Sequence, residues 1–227
     1  MGYRNIEKGI FLDRPNRFIA HIKIGDRTET VHVKNTGRCR EILVPGSVCY
    51  LEKSDNPARK TKYDLVSAVK GDRIINIDSQ AVNKIFYEYM QEGKFLDDIV
   101  YIRPETVFGK SRFDFYAERS GGQKLFIEVK GVTLENNGIV SFPDAPTERG
   151  RKHLYELITA KKQGFEAYIV FVVQMKDVLY FTPHDETDPL FGQALREAVK
   201  QGVEAVAFDC VVGETEIYGN KRVKIKL

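Results

Sequence analysis

No segment of the 227-residue chain approaches the roughly 18 uncharged apolar residues of a membrane helix, and the opening MGYRNIEKGIF lacks the continuous apolar stretch of a secretory leader. A cytoplasmic protein with no membrane partner is the expectation. Cysteine is scarce as well: Cys39, Cys49 and Cys210 form an odd, scattered set, without the CxxC spacing of a zinc site or the even count of a disulfide framework. They read as reduced structural thiols. Internal repeats and low-complexity tracts are also missing. A large excess of one charge is absent too, since 35 Lys and Arg meet 32 Asp and Glu. That near balance hides an asymmetry. Residues 1–80 carry 15 basic against 10 acidic side chains, whereas residues 81–227 carry 20 against 22. A positive first third suits a polyanion-binding module joined to a more acidic domain, although a two-domain protein can show such a split by chance.

What is present is ordinary globular material, 42% hydrophobic and 30% charged, with enough apolar mass for a core and enough length for two domains. From Arg17 to Asp78 short β-type runs follow one another (RFIAHIKI, ETVHVK, SVCYLEK, YDLVSAV, RIINID). Turn-formers such as Gly25-Asp26, Asn35-Thr36-Gly37, Pro45-Gly46 and Gly71-Asp72 separate them. Five strands in so short a span predict a small all-β barrel of OB type over residues 1–80, with an SH3-like barrel as the competing architecture. After a hinge near residues 78 to 82 the pattern changes. AVNKIFYEYMQEG carries Val82, Ile85, Phe86, Tyr89 and Met90 at helical spacing, with Gly93 as a C-terminal stop. The strands DIVYIR, SRFDFYAER, KLFIEVKGV and GIVSF follow. A helix from Thr147 to Gly164, the continuously apolar strand AYIVFVVQ, a short strand, a helix from Asp188 to Gly202 and the strand VEAVAFD complete the pattern. Residues 81–227 are thus expected to form an α/β domain with a mixed sheet.

The stretch SRFDFYAERSGGQKLFIEVKG reads as a hairpin. A three-residue loop centred on Gly121 sets Asp114 opposite Glu128, each seven positions from the centre. The two carboxylates are then cross-strand neighbours, about 5 Å apart at Cβ, with Lys130 on the same face. A two-residue loop would send them to opposite faces. Adjacent carboxylates repel unless a cation or a proton compensates, and such a pair of hard oxygen ligands suits Mg²⁺ or Mn²⁺. Spacing alone leaves open the plainer reading of a solvated hairpin with cross-strand ion pairs.

An acidic residue on one strand followed by Glu-x-Lys on the next resembles the PD-(D/E)xK nuclease superfamily, with Asp114, Glu128 and Lys130 in the matching positions. That superfamily also suggests Glu88, in IFYEYM, as a supporting acid on the preceding helix. A longer resemblance runs through NTGRCREILVPG, NPARKTKYDL, SRFDF, EVKGVTL, FPDAPTERGRKHLYEL and DPLFGQALREAVKQGV. These are similar to the successive motifs of the sugar fermentation stimulation protein A family. Two local departures stand out: Cys39 replaces an expected apolar residue such as methionine, and Tyr89-Met90 replaces a smaller pair. The resemblance implies an OB-fold domain followed by a restriction-endonuclease-like α/β domain, and DNA binding without marked sequence preference. It also implies Asp114 and Glu128 as metal ligands, Lys130 as the catalytic-type lysine and Glu88 as a supporting acid. The family name reports a sugar-metabolism phenotype, so a regulatory role there is an expectation carried by the name.

Basic residues complete the reading. Arg38 and Arg40 follow a glycine turn, Arg59, Lys60 and Lys62 cluster in NPARKTKYDL, and Arg149, Arg151, Lys152 and His153 crowd a helix start that Thr147 can cap. A helix start with free N–H groups and cations attracts phosphate, and these side chains are the expected DNA contacts. Gln174 is a candidate for pointing into the site or for ending its strand. Tyr50 and Tyr63 are the barrel's candidates for base stacking, with burial in the core as the stronger reading. Three functions remain open: a metal-dependent nuclease, a purely DNA-binding or regulatory protein, and a metal-dependent enzyme acting on another phosphorylated molecule. Oligomeric state, a homodimer included, is not readable from these residues.

Overall fold

The computed structural model describes residues 1–35, 37–109 and 111–227; Thr36 of the Asn35-Thr36-Gly37 turn lies outside them. The chain opens with β1 (Ile6–Asn16), β2 (Ile19–Ile24), β3 (Arg27–Val33), β4 (Val48–Lys53) and β5 (Tyr63–Lys70). Antiparallel pairing of β1 with β2 and β4, of β2 with β3 and of β4 with β5 is closed by a parallel contact of β3 with β5. The result is a five-stranded OB barrel. The sixth strand, β6 (Arg73–Asn76), extends the sheet from β5. The sequence reading therefore found a barrel but not its first strand, because it began at Arg17 and counted RIINID among the closing five. The strand IEKGIFLDRPN carries four charged residues and a proline, and its register shifts twice along β2. Its alternation is thus broken at the sequence level.

The second part begins with α1 (Ala81–Gln91), whose buried residues include all five of the expected apolar stripe. Next come β7 (Ile99–Phe108), β8 (Ser111–Arg119), β9 (Lys124–Val132), β10 (Leu134–Asn136) and β11 (Ile139–Phe142). The remainder is α2 (Glu148–Lys162), β12 (Glu166–Val173), β13 (Tyr180–Pro183), α3 (Pro189–Lys200), β14 (Glu204–Val212) and β15 (Ile217–Arg222). The main sheet runs β15-β14-β12-β9-β8-β7, with β12 parallel to both β9 and β14 and the outer pairs antiparallel. This is the expected mixed sheet. Strand β12 is apolar along its whole length because both faces are covered. Tyr168, Val170 and Val172 join the core beneath α1, and Ala167, Ile169, Phe171 and Val173 join the core beneath α2 and α3. Strand β15 escaped sequence reading, since IYGNKR is half polar and pairs only at the sheet's edge. The cysteines are free and buried as expected, and burial pushes the thiols of Cys39 and Cys49 up to about 12.

The two parts share one seam. Gln174, just past β12, receives Asn76 N–H on its carbonyl at 2.9 Å and gives its side-chain amide to Asn76 Oδ1 at 2.7 Å. Nearby, Glu135 of β10 is only 5% exposed and accepts from Lys70 at 2.7 Å and Arg73 at 2.8 Å, both from the barrel. Its Oε1 also accepts from Gly138 N. One apolar cluster runs through this seam, from Leu65 and Ile75 to Phe171 and Phe181.

Candidate metal and nucleic-acid site

The hairpin turns as its glycines require. Arg119 N–H bonds to Gln123 O at 2.9 Å across a three-residue loop, and Gly122 takes φ +83°, where a side chain would be strained. The ladder pairs Glu118 with Lys124, Ala117 with Leu125, Tyr116 with Phe126 and Phe115 with Ile127, all centred on Gly121. Asp114 and Glu128 are the next step in that register. There the strands part. Phe115 and Ala117 belong to the core under α1, whereas Phe113 belongs to the core under α2. Continued pairing would give Val129 N–H to the backbone of β8. Instead it donates to Asp114 Oδ2 at 2.8 Å, while Asn83 of α1 donates to Asp114 Oδ1 at 2.9 Å.

Glu128 is 2% exposed. Its Oε1 accepts from Lys130 Nζ and from His153 Nδ1, and its Oε2 is buried with no partner. His153, itself 4% exposed, sets Nδ1 against Glu128 Oε1, and its Nε2 lies 3.5 Å from Arg149 Nε. Burial by itself would raise the Glu128 carboxyl, but the hydrogen bonds and charge of His153 and Lys130 outweigh it and hold it below the usual range. Asp114 goes the other way. Burial raises it first, and the nearby Glu128 charge raises it further, against the opposing bonds from Val129 and Asn83. An unanswered buried oxygen beside a carboxyl that resists ionisation is a local excess of negative charge. All-oxygen donors of that kind fit a hard divalent cation rather than zinc or copper. No group of three or more His, Cys, Asp or Glu side chains placed for a metal occurs among the described residues.

The remaining expectations divide. Glu88 is not drawn to the pair: its Oε2 takes the Met1 ammonium at 2.7 Å, and Asn83, one and a half turns earlier, is the α1 residue that touches Asp114. Arg59 is held by Asp64 at 2.6 and 2.9 Å, and Arg151 by Asp188 at 3.0 and 3.1 Å; both acids are buried, so these two arginines brace structure. By contrast Arg38, Arg40, Lys60, Lys62, Arg149 and Lys152 are exposed. Arg38 and Arg40 join Arg14 and Arg17 around a groove of about 390 Å³ that also touches Ala145, at the approach to α2. Thr147 caps α2 as expected, accepting from Gly150 N at 3.0 Å. Tyr50 and Tyr63 are buried, with their hydroxyls on Glu214 and Glu7. The barrel's exposed aromatic is Phe18, at 51%, in the two-residue connection from β1 to β2 and with the Arg17 guanidinium 5.8 Å from its ring centre.

Two site residues went unrecognised in the sequence. His153 was grouped with the basic face, yet Gly150, His153, Leu154, Leu157 and Ile158 form one buried stripe at helical spacing, which is a legible signal. Asn83 carries no such signal, because its contact depends on how α1 lies across β8.

An OB barrel followed by a restriction-endonuclease-like α/β domain with a mixed sheet is the class that this architecture defines. The sequence family described as "Sugar fermentation stimulation protein RE domain" matches residues 80–216, and "SfsA N-terminal OB domain" matches residues 12–77. The chain is 54% identical over 227 residues to a sugar fermentation stimulation protein homolog of Ruminiclostridium cellulolyticum, covering 100% of both chains. It is 55% identical over 217 residues to the homolog of Clostridium beijerinckii, covering 96% of each. Among solved structures, that of Pyrococcus furiosus SfsA in complex with Ca²⁺ superposes with a TM-score of 0.91 at 30% identity, covering 100% of this chain and 98% of the other. The chain belongs to the sugar fermentation stimulation protein family. No helix of the described residues is long and apolar enough to cross a membrane.

Proposed function

We propose that this protein binds DNA with little sequence preference and hydrolyses phosphodiester bonds with a divalent ion, Mg²⁺ or Mn²⁺, held by Asp114 and Glu128. The observation that carries the reading is the buried, unpartnered Oε2 of Glu128 beside an Asp114 whose carboxyl is pushed up by burial and then by the Glu128 charge. That the related Pyrococcus furiosus protein is a Ca²⁺ complex supports a hard cation in this family. When bound, such an ion neutralises charge on phosphoryl oxygens and makes water more acidic.

The chain's own residues prepare the rest. Lys130 and His153 fix the Glu128 carboxylate through Oε1 and leave Oε2 free to coordinate. Asn83 and Val129 N–H fix Asp114. In this reading the Lys130 ammonium, which donates to Glu128 Oε1, also contacts the scissile phosphate. Arg149 and the capped start of α2 supply a second phosphate contact, and the groove of Arg17, Arg38 and Arg40 takes flanking phosphates. Contacts of that kind read charge and leave sequence unread.

The test is cleavage of plasmid and oligonucleotide DNA with Mg²⁺ or Mn²⁺, comparing wild type with Asp114→Ala and Glu128→Ala. Metal-dependent products that vanish in both variants are expected. Products that persist unchanged would mean a contaminating nuclease and defeat the proposal. Affinity measured against salt should fall steeply, as phosphate neutralisation demands.

A further inference from the structure

Between the barrel and the α/β domain lies a cavity of about 210 Å³. That is room for roughly seven waters, and well short of the roughly 300 to 1,000 Å³ of a drug-sized site. Its wall includes Asn35 and Ser79 from the barrel side and Gly131, Ser141, Phe142 and Gln174 from the other. Strand β9 gives the cavity Gly131, on the face opposite the Lys130 side chain. A Cβ at position 131 would lie 2.6 Å from Gln174 Oε1 and 2.8 Å from Val82 Cγ2, so bare backbone is what admits the amide here. Gln174 Nε2 is spent on Asn76 Oδ1 and Asp78 O, Asn35 Nδ2 on Ile77 O and the Ser79 hydroxyl on Lys34 O, so Gln174 Oε1 and the Ser141 hydroxyl are the acceptor and donor offered beside the Phe142 ring. The arginine groove is the cavity's neighbour: Gly37 lines both, and Asp144 of the one adjoins Ala145 of the other.

We propose that this cavity accepts a single nucleobase from an unpaired stretch of DNA whose phosphates lie in the arginine groove, making single-stranded or locally opened DNA the substrate class. The inference rests on reading the acidic pair as a phosphodiester site, since β9 carries Glu128 and Lys130 and also supplies Gly131 to the cavity wall. A base inside a duplex cannot reach such a cavity without leaving its stack, so selectivity follows from the cost of unstacking. An amide oxygen that accepts and a hydroxyl that both donates and accepts can serve any base edge, and an aromatic wall can face any base, which keeps sequence preference weak.

Binding in EDTA separates this inference from the metal reading. Fluorescence anisotropy with the full chain would compare a single-stranded 15-mer, its blunt duplex, and the single strand with one abasic position moved along it. The expected result is a single strand bound at least 10-fold more tightly than the duplex, with one abasic position costing about 10-fold. Ser141→Phe, which fills the cavity, should bring the single strand down to duplex affinity and leave the duplex unchanged; Ser79→Phe at the exposed rim provides the same test should the first variant not fold. Equal affinity for both DNA forms, indifference to every abasic position, or a mononucleotide bound as tightly as the 15-mer would each overturn the proposal. Absence of cleavage on every substrate with these binding results intact would remove the metal reading and leave the base pocket in place.

Discussion

Glu128 and Glu135 lie seven residues apart, both are buried, and each is gripped by two basic side chains. Their outcomes differ. Glu135 spends both oxygens, Oε1 on Arg73 and Gly138 N and Oε2 on Lys70, so it is a closed ionic clasp between the barrel and β10. Glu128 spends only Oε1, on Lys130 and His153, and keeps Oε2 bare next to Asp114. Burying a carboxylate is costly, and a fold recovers that cost by satisfying every oxygen. At similar depth, then, Glu135 recovers that cost and Glu128 does not.

The comparison can be broken in four ways. The largest effect should be catalytic: Glu128→Gln is expected to lower metal-dependent cleavage by roughly 10³-fold or more, the scale of several kcal/mol of charge stabilisation. The same change at Glu135 should leave the rate per folded molecule within about threefold. Equal losses would erase the distinction between site and clasp. Second, Glu135→Gln should reduce stability in urea by about 3 kcal/mol with an unchanged slope, since one member of a buried ion cluster is removed. Glu128→Gln should cost less in metal-free buffer, because it relieves Asp114.

Third, His153→Ala is expected to weaken metal affinity about 10- to 100-fold by calorimetry, as loss of an orienting partner does elsewhere. Smallest is Asp114→Asn. The folded state raises the Asp114 carboxyl, so the stability it contributes is complete below its unfolded pKa and is lost as pH rises through the folded value. Metal-free Asp114→Asn should therefore exceed wild type by about 0.5–1 kcal/mol at pH 7, and the gain should vanish near pH 4. Glu128 has the opposite sign: its lowered carboxyl contributes stability above the unfolded pKa that disappears as pH falls through the folded one. Urea melts at the two pH values would decide, and a variant less stable than wild type at pH 7 would contradict the assigned strain.

Much of this was legible in the sequence, for local reasons. The turn centred on Gly121, the stripe of α1 and the unbroken apolarity of β12 follow from period and punctuation. The barrel's first strand was hidden because charges and a proline interrupt its alternation. Spacing placed Asp114 and Glu128 opposite each other, but it could not reveal that the ladder opens at that step and turns the Asp114 carboxylate onto Val129 N–H. Arg59 and Arg151 looked like free cations because Asp64 and Asp188, which hold them, become their neighbours only through chain folding. His153 lay on a readable stripe and was masked by the basic residues around it.

The apolar cluster that crosses the seam, from Leu65 and Ile75 into Phe171 and Phe181, means that the two parts are not interchangeable cassettes. Splitting the chain near residue 80 would bare a greasy face on each fragment and strand Glu135 without its cations. A fusion engineer who wants the barrel by itself must therefore redesign the side that now leans on β12 and β13. Evolution faces the same constraint, and must alter the barrel and its partner domain together.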